Sequence, residues 1–359
     1  MSTKEQNRLH ILNGVLERYW TMKEAAPSLG VSERQGWRLL AAYQREGARG
    51  LVHQNRGRVP PNATPGDIRQ QVVALAQQRY SGINHTHLTE LLAEREGVML
   101  PRPTVRRLLI RGGLTSPRQR RPPRHRCRRQ RMPQEGMLLQ LDGSHHLWLE
   151  DRWPWLTLLL AVDDATWRAP LALFQEQEDT RGYLSLLQGI IERLGVPMAV
   201  YTDRHAVFQS RRSPSDRSPV RQKGPSTQWG RDLGELGITQ ILAHSPEAKG
   251  RVERANGTFQ DRLVAELRLA DACTLEKANQ VLAEFLPRFN QRFGVPADQP
   301  ELAYRPVDPE LDLGGVLCIK ELRRVAKDNT VQYHGRTLQL YPGTKRPQLW
   351  AGTTLGDSS

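Results

Sequence analysis

The sequence predicts a multidomain chain: N-terminal all-α helix-turn-helix modules, an α/β core and a small C-terminal β-barrel-like domain. Three observations lead there. The chain has 359 residues, and at about 100–200 residues per domain that is room for two to four domains. Its charge is lopsided: residues 1–133 hold 25 Lys+Arg against 9 Asp+Glu, while the other 226 residues hold 27 against 29. Near residue 136 the hydrophobic pattern switches from helical spacing to strand-like alternation.

Several classes are excluded at once. No window approaches the ~18 apolar residues of a membrane span, and the opening MSTKEQNRLH lacks the apolar stretch of a secretory signal. Cys127, Cys273 and Cys318 are too scattered for a disulfide framework or a CxxC metal ribbon, which fits a reducing cytosol. Net charge is +14 with a pI near 10.2. A polycationic front attracts phosphate polymers or anionic surfaces, and the helical patterns within it favour nucleic acid.

Within residues 8–19, Leu9, Leu12, Val15, Leu16 and Tyr19 fall at helical spacing. Met22, Ala25, Ala26 and Leu29 suit a short second helix that contains Pro27, with Gly30 as the turn. Ser32 caps a third helix, with Gln35 at capping-box distance. Trp37, Leu40 and Ala41 are expected on its inner face and Arg34, Gln35 and Arg38 on its outer face, as in a recognition helix entering the major groove. This first module spans residues 1–56.

A Pro/Gly/Asn-rich linker leads to a second module, residues 65–114. Helices are predicted over 67–80, 85–96 (stopped by Gly97) and 103–110 (stopped by Gly112-Gly113). The last turns Val105, Leu108 and Leu109 inward and Arg102, Thr104, Arg106 and Arg107 outward. Residues 115–133 hold eight arginines (118, 120, 121, 124, 126, 128, 129, 131) and four prolines. Such a segment cannot form a core, and it reads as an extended tether that orders along a DNA backbone, with Arg118, Arg120, Arg121, Arg124, Arg126, Arg128, Arg129 and Arg131 as its phosphate contacts. His125 and Cys127 are two ligands, too few for a tetrahedral zinc site.

From residue 136 the order is β-β-β-α-β-(insertion)-β-α, which describes a mixed sheet flanked by helices. Strands are predicted at MLLQLDGSHHLWL, WPWLTLLLAVDDATW, RAPLALFQ, MAVYTD and ITQILA, and helices over 180–194, 250–269 and 275–293. Asp142 sits mid-strand among leucines, where an unpaired charge is costly. Asp203 closes an apolar strand at its carboxyl end, where sites of open sheets gather. Glu253 lies one turn into a helix able to pack beside both. Three acids brought together repel unless cations neutralise them, and their hard oxygens suit Mg2+ or Mn2+. Two ions ~3.5–4 Å apart can clamp the attacking and leaving oxygens of a phosphodiester.

The strings LQLDGSHHLWL, VYTDRHAVF and HSPEAKGRVERANGTFQDRL resemble the catalytic core of DDE transposases and retroviral integrases, an RNase H-like fold, over residues 134–293. With its helical front, the chain most resembles an ISNCY-type bacterial insertion-sequence transposase. The resemblance implies that Asp142, Asp203 and Glu253 are the catalytic, metal-binding triad with two Mg2+ (or Mn2+) ions per active site. It also implies that Lys249, Arg251, Asn256 and His205 contact DNA or order the site. The implied partners are transposon-end and target double-stranded DNA and further copies of the chain, as a homodimer or higher oligomer, with no membrane. The implied setting is the bacterial cytoplasm, on the nucleoid.

The 49 residues between Asp203 and Glu253 exceed the resemblance's usual spacing. The excess falls in RRSPSDRSPVRQKGPSTQWGRD, read as a surface insertion without periodicity, and it leaves Glu247 as a rival third acid. Glu253 is preferred because it opens a helix. Asp163 and Asp164 end the second strand and are expected as turn carboxylates rather than ligands. His145 and His146 alternate faces, so at most one views the site. Residues 310–350 alternate with turns at Asp328-Asn329 and His334-Gly335, the expected barrel-like domain, with Arg323, Arg324, Lys327 and Arg336 as basic contacts. Two rivals to a transposase are a regulator that lost cleavage and an RNase H-type nuclease.

Overall fold

The computed structural model describes residues 3–52, 60–61, 63–117, 129–152, 155–209, 227–243, 249–321 and 323–341. It divides into two compact units, Met1–Arg69 and Gln70–Ser359.

In the first unit, α1 (Thr3–Leu16), α2 (Met22–Leu29), α3 (Glu33–Glu46) and a 3-10 turn (Gly47–Leu51) enclose Leu12, Met22, Ala25, Leu29, Leu40 and Leu51. The reciprocal capping box belongs to α2, between Thr21 and Glu24. At α3 Ser32 Oγ accepts from the Gln35 amide at 3.3 Å. Gly30, in the left-handed region at φ 66°, turns α2 into α3. The inner face of α3 differs from expectation. A Cβ at Gly36 would lie 2.5 Å from Met22 Sδ, so this glycine is the close-approach point between α2 and α3. That rotates Gly36 and Leu40 inward and leaves Trp37 54% exposed and Ala41 exposed. The predicted helix over 8–19 ends at Leu16, and Leu16 and Tyr19, which fall on its helical spacing, are exposed.

The division falls within α4 (Gly66–Gln78), and the second unit continues with α5 (His85–Glu96) and α6 (Arg102–Arg111). Asn84 caps α5 by accepting from the amides of Thr86 and His87, both at 3.0 Å. Five strands follow: β1 (Leu139–His146), β2 (Leu156–Asp163), β3 (Ala172–Gln175), β4 (Ala199–Thr202) and β5 (Thr239–Leu242). They form one mixed sheet in the order β3-β2-β1-β4-β5. β2 is antiparallel to β1 and β3, and β4 is parallel to β1 and β5. β2 is buried at every position, the sign of a strand covered on both faces. On one face lie α9 (Gly250–Leu269) and α10 (Leu275–Phe293), whose Phe259, Leu263, Phe285 and Phe289 pack on Leu158, Leu160 and Phe174. On the other lie α7 (Thr180–Leu194) and α8 (Gln228–Glu235), whose Tyr183, Leu187 and Trp229 pack on Leu139, Leu141 and Val200.

α8 corrects the reading of the insertion. Its last part, read as polar surface, is a helix with Trp229, Asp232 and Leu233 buried; one tryptophan and one leucine four positions apart are enough to seat two turns of helix on the core. Residues 210–226, the rest of the excess, lie outside the described residues.

The tail also differs from expectation. α11 (Leu313–Val316) is followed by a hairpin of β6 (Thr330–Tyr333) and β7 (Arg336–Gln339), turned by His334 and Gly335 at positive φ as the sequence predicts. Among the described residues this two-stranded ladder is the tail's whole sheet, and no sheet closes into a barrel. Both β7 faces are exposed, so the hairpin supplies no enclosed interior around which a barrel would form. Among the described residues no helix is long and apolar enough to cross a membrane.

Candidate active site

Strand register places the first two acids. β1 and β4 pair in parallel with Gln140 opposite Tyr201. Asp142 and Asp203 each lie two residues beyond that pair, Asp142 still on β1 and Asp203 just past the end of β4. β4 ends at Thr202, which leaves Asp203 at the carboxyl edge.

The catalytic-helix candidate α9 is registered on β1 by a polar ladder. Gln140 Oε1 accepts from the Val252 amide at 3.2 Å, Asp142 Oδ2 accepts from Asn256 Nδ2 at 2.7 Å, and Ser144 Oγ accepts from Gln260 Nε2 at 3.0 Å. Two strand residues advance about 6.7 Å and four helix residues about 6 Å, so steps of two and four stay in phase. The ladder fixes Glu253 in the first turn of α9, one turn before Asn256, with its side chain exposed.

One chain-borne cation joins the two aspartates. Lys249 Nζ, with a side chain 5% exposed, lies 2.7 Å from Asp142 Oδ1 and 3.5 Å from Asp203 Oδ2. Burial pushes the Asp142 carboxyl up, Lys249 and Asn256 pull it down, and Asp203 adds to the rise. The Oδ1 of Asn256 is buried without a partner, an acceptor left open beside Asp142.

A fourth carboxylate, missed in the sequence, borders this cleft. Glu178 accepts from Tyr183 Oη at 2.7 Å, and its Oε2 lies 2.5 Å from where a Cβ on Gly143 would stand. Burial and the nearby carboxylates of Glu178, Asp142 and Asp203 push the Tyr183 phenol far up. His205 donates its amide to Asp203 Oδ1 at 2.9 Å, and its Nδ1 is 3.9 Å from Glu178 Oε1. The one sequence sign of this pocket is the glycine that follows Asp142.

The residues fit a divalent ion. Two carboxylates share the Lys249 ammonium, the buried amide of Asn256 has an unpartnered oxygen, and all these donors are hard oxygens. Among the described residues no three acidic, His or Cys side chains stand together as a preformed metal cluster.

The other predicted residues are distributed as follows. Arg251 Nη1 lies 2.6 Å from Asp164 Oδ1 and Nη2 donates to the Arg129 carbonyl at 2.8 Å, so its guanidinium is engaged within the fold. Arg129 also pairs with Asp164, and Arg131 donates to the Ala165 carbonyl at 3.1 Å. Asp163 closes a turn by accepting from the Thr166 amide and hydroxyl at 2.8 and 2.9 Å. His145 stacks on Trp155 with ring centroids 5.1 Å apart. Arg34, Gln35, Arg38, Arg102, Arg106 and Arg107 are exposed, and Thr104 is half-buried. Arg118, Arg120, Arg121, Arg124, His125, Arg126, Cys127, Arg128 and Glu247 lie outside the described residues.

A contact region absent from the sequence reading joins α5 to α9. Glu266 pairs with Arg95 at 2.5 Å, His87 at 3.1 Å and Arg288 at 3.4 Å. Glu90 takes Arg262 and Arg292, both at 2.5 Å. Asn84 Nδ2 donates to Asp261 at 2.8 Å. These pairs tie the second helical module to the helix that carries Glu253.

The site thus combines two aspartates on neighbouring strands of a mixed sheet, a lysine that reaches both, and a glutamate in the first turn of the helix that packs on β1. The chain is 35% identical over 343 residues to y4bF of Sinorhizobium fredii, named as a transposase, covering 95% of this chain and 73% of that protein. It is 32% identical over 324 residues to the transposase for insertion sequence IS1202 of Streptococcus pneumoniae, covering 81% of this chain and 68% of that protein. Residues 3–81 match the leucine-zipper family of insertion element IS481. The HTLV-2 integrase catalytic core domain, solved with magnesium, aligns at 19% identity and a TM-score of 0.31 over 42% of this chain and 85% of that one, a likeness too slight to bear on function. The chain belongs to the insertion-sequence transposases.

Proposed function

We propose that this transposase binds the terminal inverted repeats of its element, hydrolyses the phosphodiester at each transposon 3′ end, and joins the freed 3′-OH to target DNA. Residues 1–56 and 65–114 read the ends, the arm 115–133 follows the backbone, and residues 134–293 carry the chemistry. Residues 310–350 add a further basic surface. Two ends must be held together, so the working unit is a dimer or larger assembly on double-stranded DNA in the bacterial cytoplasm.

The observation that carries this reading is the pair Asp142 and Asp203 sharing one cation. Asp142, Asp203 and Glu253 would hold two Mg2+ or Mn2+ ions, which when bound supply Lewis-acid charge to the phosphate and lower the pKa of the attacking water. Asn256 holds the Asp142 carboxylate in one rotamer. Lys249, released from the aspartates, offers its ammonium to a phosphate oxygen. In the first step a water oxygen bonds to phosphorus and the 3′-oxygen leaves with the proton. In the second, that 3′-oxygen bonds to a target phosphorus and a target 3′-oxygen leaves. No protein–DNA bond forms, and the rate gain comes from positioning and charge neutralisation.

The test is single-turnover cleavage and joining of end DNA by Asp142→Asn, Asp203→Asn and Glu253→Gln. Each is expected to lose at least a thousandfold while binding the end normally. Wild-type joining by these variants contradicts the triad, whereas end binding without any cleavage by the unaltered chain favours a DNA-binding regulator. Preferential cleavage of an RNA–DNA hybrid favours the nuclease reading.

A further inference from the structure

Asp164 lies at the end of β2, is wholly buried, and accepts from three separate segments at once. Its Oδ1 takes Arg251 Nη1 at 2.6 Å, Gln140 Nε2 at 2.7 Å and a guanidinium nitrogen of Arg129. Its Oδ2 takes the Met132 amide at 2.9 Å. Arg251 belongs to the first turn of α9, two residues before Glu253. Gln140 precedes Asp142 by two residues on β1 and also holds the Val252 amide. Arg129 and Met132 are the end of the arginine-rich arm where it enters the core.

We propose that Asp164 is a positioning residue that locks the end of the arm to the first turn of the catalytic helix, so that arm and Glu253 move as one body. The links beyond the carboxylate close the same circuit. Arg251 Nη2 donates to the Arg129 carbonyl, Trp167 Nε1 donates to the Arg251 carbonyl at 3.2 Å, and Arg131 donates to the Ala165 carbonyl. Arg129 and Arg251 are like charges whose guanidinium groups share the Asp164 carboxylate. Neutralising it weakens both pairs and leaves the first turn of α9 held to β1 by its polar ladder but loosened from the arm. A DNA backbone that draws on the arm therefore acts on Glu253 through Asp164. This inference rests on the proposed catalytic role of Glu253.

The test uses the full chain with end DNA. Asp164→Asn is expected to raise amide exchange at least tenfold in residues 129–132 and 250–256 together, with α5 unchanged. Its single-turnover cleavage rate at saturating DNA should fall tenfold to a hundredfold, while Kd for the end stays within twofold; a merely structural residue would not split rate from affinity in this way. Arg129→Ala, which leaves the Asp164–Arg251 pair intact, provides the second arm should Asp164→Asn fail to fold, and is expected to loosen 250–256 as well as 129–132. Loosening confined to the arm, or an unchanged cleavage rate, overturns the inference. Glu253→Gln run alongside separates the two claims. If Glu253→Gln is dead and Asp164→Asn cleaves normally, the inference fails and the triad stands; if Glu253→Gln cleaves normally, the triad fails and joint exchange alone upholds or overturns the coupling.

Discussion

The ammonium of Lys249 lies 2.7 Å from Asp142 Oδ1 and also reaches Asp203 at 3.5 Å. The lysine supplies one positive charge to two carboxylates, half of what a divalent ion would supply in the proposed loaded site. Lys249→Met is expected to cost about 2–4 kcal/mol in metal-free buffer, since removing one partner of a buried pair leaves the other charge uncompensated. Mn2+ should raise the melting temperature of the variant more than that of wild type. Thermal unfolding with and without Mn2+ checks this, and equal shifts in both proteins contradict it.

Gly143 is required by its neighbour. Because a Cβ there would stand 2.5 Å from the Glu178 carboxylate, Gly143→Ala should destabilise by about 1–3 kcal/mol through overpacking. In a Glu178→Ala background the same change should be neutral or stabilising. A double-mutant cycle by urea unfolding reads the coupling directly, and simple additivity removes the contact.

The clamp between α5 and α9 should show in pH-dependent stability. Burial raises the Glu266 carboxyl, but the hydrogen bond from His87 and the charges of Arg288 and Arg95 outweigh it and hold it below its ordinary value of 4.5. A depressed carboxyl contributes stability present above the unfolded value and lost as pH falls through the folded one. Glu266→Gln should therefore cost about 2 kcal/mol at pH 7, with the deficit closing below pH 4.5. A deficit independent of pH would show that the ion pairs do not carry the contact.

Asp232 behaves in the opposite sense. Burial lifts it from 3.8 to about 6, against the pull of Arg231, and its Oδ2 has no partner. Between those two values the folded chain binds the extra proton, so its contribution to stability falls as pH rises from about 4 to 6. Asp232→Asn should gain about 2–3 kcal/mol on wild type between pH 4 and pH 7. Parallel stability profiles would contradict this.

Much of this was legible in the sequence because the signals were local. The helices over 180–194, 250–269 and 275–293 coincide with α7, α9 and α10, since each carries an apolar stripe and a clear stop. The strand positions of Asp142, mid-strand, and Asp203, at a strand's carboxyl end, follow from the apolar runs around them. What escaped depends on tertiary contact. Gly36 looks like an ordinary helix interior until Met22 packs on it, so the face bearing Trp37 was assigned one step off. α8 hides in a basic segment because two buried residues suffice for it. Asp164 looks like a turn carboxylate because its donors come from three distant stretches, and Glu178 is visible only once α7 folds over Gly143.

The central claim is that Asp142, Asp203 and Glu253 converge on divalent ions when DNA is bound. Anomalous diffraction from the full chain assembled with its end DNA and Mn2+ tests it most directly. Two peaks ~3.5–4 Å apart are expected, one between Asp142 and Asp203 where Lys249 now sits, with a Glu253 oxygen coordinating. Peaks away from these carboxylates, or a Glu253 that stays remote while Lys249 keeps its place, would contradict it.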